Sequence, residues 1–295
     1  IILSSTIGRN KALINKEVLA TLIGATSKFI DKMADLDVRI VLAGGETADV
    51  GDIVRTADVG FTAFGRLKRK DLVINKIRSG QVIIGFESYG QSTYETEYNS
   101  GIGSNGLTMA RHELFHHDYA DKYEETYAPQ IDRKYVYTGK FKVDDNVIIG
   151  GRNHPIGKLA LSPTRTYLPV LNEILKNHKE SIHGIIHATG GGHTKVLKYC
   201  DAPVHILKDN LFEVPPIFDI IQKSTDTSLT EMYKVFNMGT RLELYIDAEA
   251  AASIIEISAI FNIRAQVIGR VEGSKDNSMS VTVITNTETL VYQEK

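Results

Sequence analysis

Ala43-Gly44-Gly45-Glu46-Thr47-Ala48-Asp49-Val50-Gly51-Asp52 follows directly on the apolar run Val38-Arg39-Ile40-Val41-Leu42. The spacing reads as a buried strand that ends in paired glycines, a geometry that frees backbone N–H groups and lets a ligand approach the main chain. Glu46, Asp49 and Asp52 then bring three carboxylates into a short acidic stretch. Hard oxygen ligands beside an anion-binding turn suit a magnesium ion that bridges protein to phosphate, with Glu46 the first ligand candidate and Gly44, Gly45 and Asp49 on the phosphate side. The plain alternative is a strand followed by a solvated acidic turn.

Upstream, Val18, Leu19, Leu22, Ile23, Phe29, Ile30 and Met33 recur at helical spacing within residues 14–35, which predicts a core-facing helix that feeds the strand before Gly44. Downstream, Val59, Phe61, Ala63 and Leu67 alternate with small or polar neighbours, the period of a strand with one covered face. Lys70 to Gly80 is a charged hinge. It places a domain boundary near residue 79, giving domains 1–79 and 80–295. Beyond it, Val82–Phe86 predicts a strand, Leu107, Ala110, Leu114 and Phe115 the inner face of a helix, and residues 120–158 an elaborated loop. A helix is expected from about Pro163 and a strand over Ile182–Ala188. Pro215 to Phe236 reads as helix with one break, Leu242, Leu244 and Ile246 as a strand, and residues 247–261 as helix. Val267–Val271, Met279–Thr285 and Thr289–Gln293 close as strands. Interleaved helices and strands without the regular alternation of a barrel predict an α/β (α+β) protein of two mixed domains.

Composition narrows the partners. The 295 residues are 42% hydrophobic and 24% charged, with net charge −2. No basic run exceeds Arg66-Leu67-Lys68-Arg69-Lys70, so neither a nucleic-acid footprint nor a membrane segment is expected. One cysteine, Cys200, excludes a disulfide framework and a cysteine-rich zinc site and fits a reducing cytosol. The chain opens Ile1-Ile2-Leu3-Ser4-Ser5 without methionine, as though in mid-strand, and upstream sequence is expected.

Two further glycine turns carry functional weight. Ser104-Asn105-Gly106 opens the predicted helix, where free N–H groups and the helix dipole favour a phosphate, or where serine and asparagine simply cap. Thr189-Gly190-Gly191-Gly192 follows a buried strand, and three glycines there weaken packing unless something must reach the backbone. Gly101-Ile102-Gly103-Ser104-Asn105-Gly106 spells G-x-G-x-x-G, but far from the strand that a dinucleotide site requires. His112-Glu113-Leu114-Phe115-His116 spells the zinc motif H-E-x-x-H with no evident third ligand. His187 and His193 flank the triple glycine and remain candidates, with structural histidine as the alternative.

The order of Gly44-Gly45-Glu46-Thr47-Ala48, Ser104-Asn105-Gly106, Leu161-Ser162-Pro163-Thr164-Arg165-Thr166-Tyr167, His187-Ala188-Thr189-Gly190-Gly191-Gly192, Glu231-Met232-Tyr233 and Phe236-Asn237-Met238-Gly239 resembles the aminoimidazole ribonucleotide synthetase (phosphoribosylformylglycinamidine cyclo-ligase) family of purine synthesis. The resemblance implies ATP-dependent ring closure with Mg2+, and a homodimer whose N-terminal domains join strands across a two-fold axis. It implies catalytic roles for Glu46, Thr47 and His187, with Ser104, Asn105, Gly106 and Thr189 to Gly192 on the substrate. It also implies that the zinc motif is fortuitous. The family's D-G-x-G-T-K segment is absent, its histidine before S-N-G is Gly103 here, and His193-Thr194-Lys195 replaces the usual sequence after the triple glycine. Residues 90–101 and 120–158 look like insertions. A selenophosphate synthetase or thiamine-monophosphate kinase-like relative, or a non-catalytic nucleotide-binding subunit, is the alternative.

Overall fold

The computed structural model describes residues 1–104, 106–200 and 202–293. They divide into two compact units: Ile1–Leu72 with Asp118–Val136, and Val73–His117 with the chain from Tyr137 onward. The chain therefore changes unit near residue 72, and 118–136 returns to the first unit from the middle of the second.

The first unit is a three-stranded sheet with a crossover helix. Strand β1 (Ile2–Arg9) runs parallel to β2 (Val41–Asp49) and antiparallel to β3 (Ala57–Phe64), in the order β2-β1-β3. Helix α1 (Lys16–Ala34) connects β1 to β2; the Asn15 side chain accepts from the Glu17 and Val18 amides at its start, and Lys32 sits in its last turn. The helical and alternating periods are as the sequence predicts, but the expected cover is not there. Met33 is the one buried residue of α1, while Val18, Ile23 and Phe29 are exposed, and β3 leaves Val59 and Phe61 open to solvent. The returning segment adds α3 (Asp118–Lys122), and Arg55 donates to the Tyr127 carbonyl.

Gly44 and Gly45 do not end a strand. They lie inside β2, where the pairing with β1 steps from Leu3–Leu42 to Ser4–Gly44 and leaves Ala43 bulged. Gly44 takes φ 142° at this bulge, and a Cβ on Gly45 would stand 2.5 Å from the Ser5 carbonyl oxygen. The pair is thus required by strand geometry.

The second unit is built on a seven-stranded sheet ordered β12-β11-β8-β10-β4-β9-β7. Its strands are β4 (Val82–Glu87), β7 (Ile182–His187), β8 (Val204–Lys208), β9 (Thr240–Ile246), β10 (Ala265–Gly273), β11 (Ser280–Ile284) and β12 (Thr289–Gln293). All neighbours are antiparallel except β8 and β11. One face packs Ile84, Phe86, Leu242, Leu244 and Ile246 against Val170 and Ile174 of α5 (Leu168–His178) and Ile254 of α8 (Ala251–Ile260). Helices α2 (Leu107–Leu114), α4 (Ile156–Ala160), α6 (Pro216–Thr225) and α7 (Leu229–Val235) complete the unit.

Three expectations need correction. The helix expected from Pro163 begins at Leu168 with Pro169 in its first turn, because Arg165, Thr166 and Tyr167 are held in a non-helical segment by Glu95, Tyr94 and the Glu87 carbonyl. The segment 120–158 holds the hairpin β5 (Asn146–Ile149) and β6 (Arg152–Pro155), turned by Gly150 and Gly151 at positive φ, and α4. Strand β8 went unassigned by the sequence reading. β9 is buried along its whole length, so that Arg241, Glu243 and Tyr245 form a polar row on the face opposite Leu242 and Leu244.

Candidate functional site

In the first unit Glu46, Thr47 and Asp49 are exposed on β2, an edge strand. The alternation of a strand sets Glu46 and Asp49 on opposite faces. Asp49 accepts from the Lys11 amide at 3.1 Å. Among the described residues no three His, Cys, Asp or Glu side chains gather as a metal cage. Magnesium, however, is commonly held by one or two carboxylates with phosphate oxygens and water supplying the rest, and an exposed Glu46 is a sufficient protein donor for that arrangement.

In the second unit two glycine turns meet on one short segment. Gly101, Gly103 and Gly106 have φ of 82°, 61° and 70°. A Cβ on Gly106 would lie 2.5 Å from the Phe236 ring, and one on Gly103 would lie 2.4 Å from Arg241 Nη2, so glycine is required at both for close approach. Ser104 is exposed; Asn105 lies outside the described residues. The N-cap of α2 is Gly106, which has no side chain to cap with, and the part of the capping expectation that falls on Asn105 lies outside the described residues.

Thr189–Gly192 follows β7, with Gly190, Gly191 and Gly192 all at positive φ. The three are not equivalent. A Cβ on Gly192 would meet the Tyr233 carbonyl oxygen at 2.4 Å and that of Phe236 at 2.5 Å, whereas one on Gly191 would reach only the Lys195 Cα at 3.5 Å. Gly192 serves packing; Gly191 keeps an open side. Lys195 Nζ donates to the Thr189 carbonyl at 2.6 Å and to its hydroxyl at 3.0 Å, curling the turn.

The hub between the turns is Phe236–Gly239. Asn237 Nδ2 donates to the Gly101 carbonyl at 2.8 Å, and the Asn237 carbonyl accepts from His193 Nε2 at 2.9 Å. Arg241 Nη2 donates to the carbonyls of Gly101 and Ile102 at 2.8 and 3.0 Å. His187, at the end of β7, packs edge-on to Tyr167 at 6.3 Å. Burial first, then the charges of Arg241 and Lys195, push its pKa down to about 4, so the ring is neutral at pH 7.

Behind the turns lies a buried ionic layer. Lys208 Nζ stands 2.5 Å from Glu243 Oε1 and 2.9 Å from the His193 carbonyl, and Tyr245 donates to Glu243 Oε2 at 2.9 Å. With Nε2 of His193 donating, its Nδ1 is a bare acceptor 3.9 Å from Glu243, and burial drives this imidazole's pKa well below the usual value. The sequence reading quotes Asn237 and Lys195 within motifs without giving either a role, and it passes over Arg241 and Lys208. Arg241 and Lys208 carried a usable signal, a charge inside an otherwise apolar strand pattern.

Two further histidines are held by contacts within the fold. His112 is buried against the Tyr137 ring at 5.0 Å and accepts the Tyr137 amide on Nδ1 at 3.3 Å. His183 pairs with Asp247 at 2.9 Å. Cys200 is buried.

The family described as AIR synthase related protein, C-terminal domain, matches residues 78–282. The phosphoribosylformylglycinamidine cyclo-ligase of Methanocaldococcus jannaschii is 31% identical over 81% of this chain and 58% of its own length. That of Methanococcus vannielii is 33% identical over 79% and 56%. The chain thus spans a little under three fifths of the length of these relatives. Among solved structures, Escherichia coli HypE, a hydrogenase maturation protein, superposes on all of the chain and 73% of its own with a TM-score of 0.54 at 12% identity. PurLQS from Thermotoga maritima covers 99% of the chain and 37% of its own at a TM-score of 0.50 and 11% identity. Likeness at that identity establishes the fold alone.

Proposed function

The chain belongs to the AIR synthase related family, and on that premise we propose that it serves the ATP-dependent ring closure of formylglycinamidine ribonucleotide to aminoimidazole ribonucleotide. The observation that carries the reading is Asn237, which ties Gly101 of one glycine turn to His193 at the end of the other and so builds a single polar, backbone-rich surface suited to a phosphorylated substrate.

In this reaction the formyl-amide oxygen is phosphorylated, an amidine nitrogen of the same substrate attacks the activated carbon, and phosphate leaves as the ring closes. ATP with Mg2+ supplies the phosphoryl group and the neutralisation of its charge. The chain's own part is positioning, the main requirement of phosphoryl transfer. Glu46 is the proposed metal-binding carboxylate, with Thr47, Asp49, Gly44 and Gly45 beside it on the ATP side. Ser104, Gly106, Thr189 and the amides of Gly190 and Gly191 are proposed to hold the ribonucleotide. Gly192 keeps the turn closed on Phe236. His187, neutral, is suited to exchange a hydrogen bond with the amidine and ill suited to serve as a cation.

A homodimer is part of the same proposal. Ile2, Val41, Phe61 and Phe64 are exposed on the small sheet at 51, 54, 48 and 60%, more apolar surface than an isolated sheet of this size keeps in water. Among the described residues no helix is long and apolar enough to cross a membrane, and a cytosolic location is proposed with the purine pathway.

ADP release by the full-length protein, measured with and without formylglycinamidine ribonucleotide, tests the proposal. Release that requires the ribonucleotide and accompanies aminoimidazole formation is expected. ATP consumption indifferent to it would sink the reading.

A further inference from the structure

Arg241 is a buried cation without an anion. Its side chain is among the largest fully enclosed in the molecule, with 1% of the residue exposed. Nη2 is spent on two carbonyls, and Nη1 has no hydrogen-bond partner among the described residues. No carboxylate lies within ion-pair distance of it among the described residues, whereas the other buried cations of this unit are paired: Arg165 with Glu95 at 2.7 Å, Lys208 with Glu243 at 2.5 Å. Neutral carbonyls do not compensate a guanidinium withdrawn from water, and an uncompensated buried charge is strongly unfavourable. A sheet built only for stability has no reason to keep one.

Its surroundings are those of an anion site. Gly103 lies directly against the guanidinium, and a methyl group there would sit 2.4 Å from Nη2 and 2.9 Å from Thr164 Oγ1. The turn continues into α2, whose N-cap is Gly106 and whose first amide, that of Leu107, donates to the Ser104 carbonyl at 3.4 Å. Lys195, held on Thr189 of the neighbouring glycine turn, adds a second positive charge, and with Arg241 it lowers the pKa of His187. A planar fork beside a hydroxyl is a donor set for a tetrahedral group with several acceptor oxygens.

The geometry points to Arg241 as the anchor of a phosphate monoester, the anion entering beside Gly103 and Thr164 to take the unused Nη1. The cation site stands on Arg241 alone; assigning the anion to the 5′-phosphate of the ribonucleotide rests on the ring-closure reading. A phosphate released from ATP has the same chemistry, so the two sources are separated by probe.

The test is binding, without turnover. Ribose 5-phosphate and inorganic phosphate, each against chloride at equal ionic strength, are added to the wild-type chain and to Arg241→Gln, and stability is read by thermal unfolding. Glutamine discards the charge and keeps a shorter amide side chain, while the Gly101 carbonyl retains its donor from Asn237. Wild type should be stabilised by at least one of the two ligands, and Arg241→Gln should bind it at least tenfold more weakly while unfolding at or above the wild-type temperature. Preference for ribose 5-phosphate assigns the ribonucleotide; preference for inorganic phosphate assigns the transferred group; both support the anchor. Equal stabilisation of variant and wild type, or no response of wild type to either ligand, overturns it. Should the variant not fold, hydrogen exchange on the wild type decides: slowing across residues 101–104 and 106–110 by the bound ligand supports the anchor, and unchanged exchange there refutes it. Because none of these readouts needs ATP or ring closure, a protein that binds phosphate at Arg241 yet fails the ADP assay would retain this inference and lose the proposed function.

Discussion

Removing the Lys208 ammonium should cost far more than removing the whole ion pair. Lys208 and Glu243 are 0 and 1% exposed at their side chains and 2.5 Å apart. Lys208→Met leaves the Glu243 carboxylate in the sheet with only the Tyr245 hydroxyl on its other oxygen, and it strips the His193 carbonyl of a donor. Breaking a buried pair by one partner costs about 3–5 kcal/mol, and the lost hydrogen bond adds about 1 kcal/mol. Lys208→Met with Glu243→Met removes both desolvation penalties and leaves Tyr245 short of an acceptor. That double variant should lie within about 2 kcal/mol of wild type. For a unit of this size each kcal/mol moves the midpoint by about 2–4 °C, so the single variant should melt roughly 8–24 °C low. Urea unfolding followed by circular dichroism, with the four members of the cycle compared at one pH, gives the coupling directly. A single variant that loses less than about 1 kcal/mol, or a double no better than the single, would show that the pair does not hold the layer behind the glycine turns.

Other outcomes follow from the same geometry. The depressed pKa of His187, about 4, means that the unfolded chain binds a proton between pH 6.5 and 4 which the folded ring refuses. Its contribution is complete above pH 6.5 and falls with pH to a floor below 4; allowing for solvent screening of a part-buried ring it amounts to about 2 kcal/mol. His187→Phe should flatten that part of the stability profile, leaving the share of buried His193, and a profile as steep as wild type would contradict the assignment. Gly192→Ala should destabilise by about 3 kcal/mol or more, since two carbonyls must move, while Gly191→Ala should cost about 1–2 kcal/mol and raise KM for the ribonucleotide about tenfold. Equal thermal losses with unchanged KM would assign both glycines to the fold. In the full-length protein Glu46→Gln should cut turnover by about two orders of magnitude with Tm nearly unmoved, because Glu46 is exposed; normal turnover at saturating magnesium would return it to a solvated strand residue.

The periodic parts of the fold are readable because they are local. The helical spacing in α1 and the terminal strands β10 to β12 need no knowledge of distant partners. What fails is tertiary in origin. Pro163 looks like a helix start until Arg165 and Tyr167 are seen fixed on Glu95 and Glu87. Gly44-Gly45 looks like a turn because a bulge against β1 requires the same residue type. Among the site residues, glycines announce themselves by type. Asn237 does not, and the charge of Arg241 in an apolar strand flags the residue without naming its partners: both roles depend on carbonyls of Gly101 and Ile102 more than a hundred residues away in the chain.

The fate of the formyl oxygen tests the proposed chemistry most directly. Formylglycinamidine ribonucleotide carrying 18O in its formyl group is converted by the full-length protein with unlabelled ATP, and the phosphate released is weighed by mass spectrometry. Transfer of the γ-phosphoryl group to that oxygen followed by ring closure predicts one 18O atom in each phosphate, formed in step with ADP and aminoimidazole ribonucleotide. Unlabelled phosphate, or ADP formed without the ring, would contradict it.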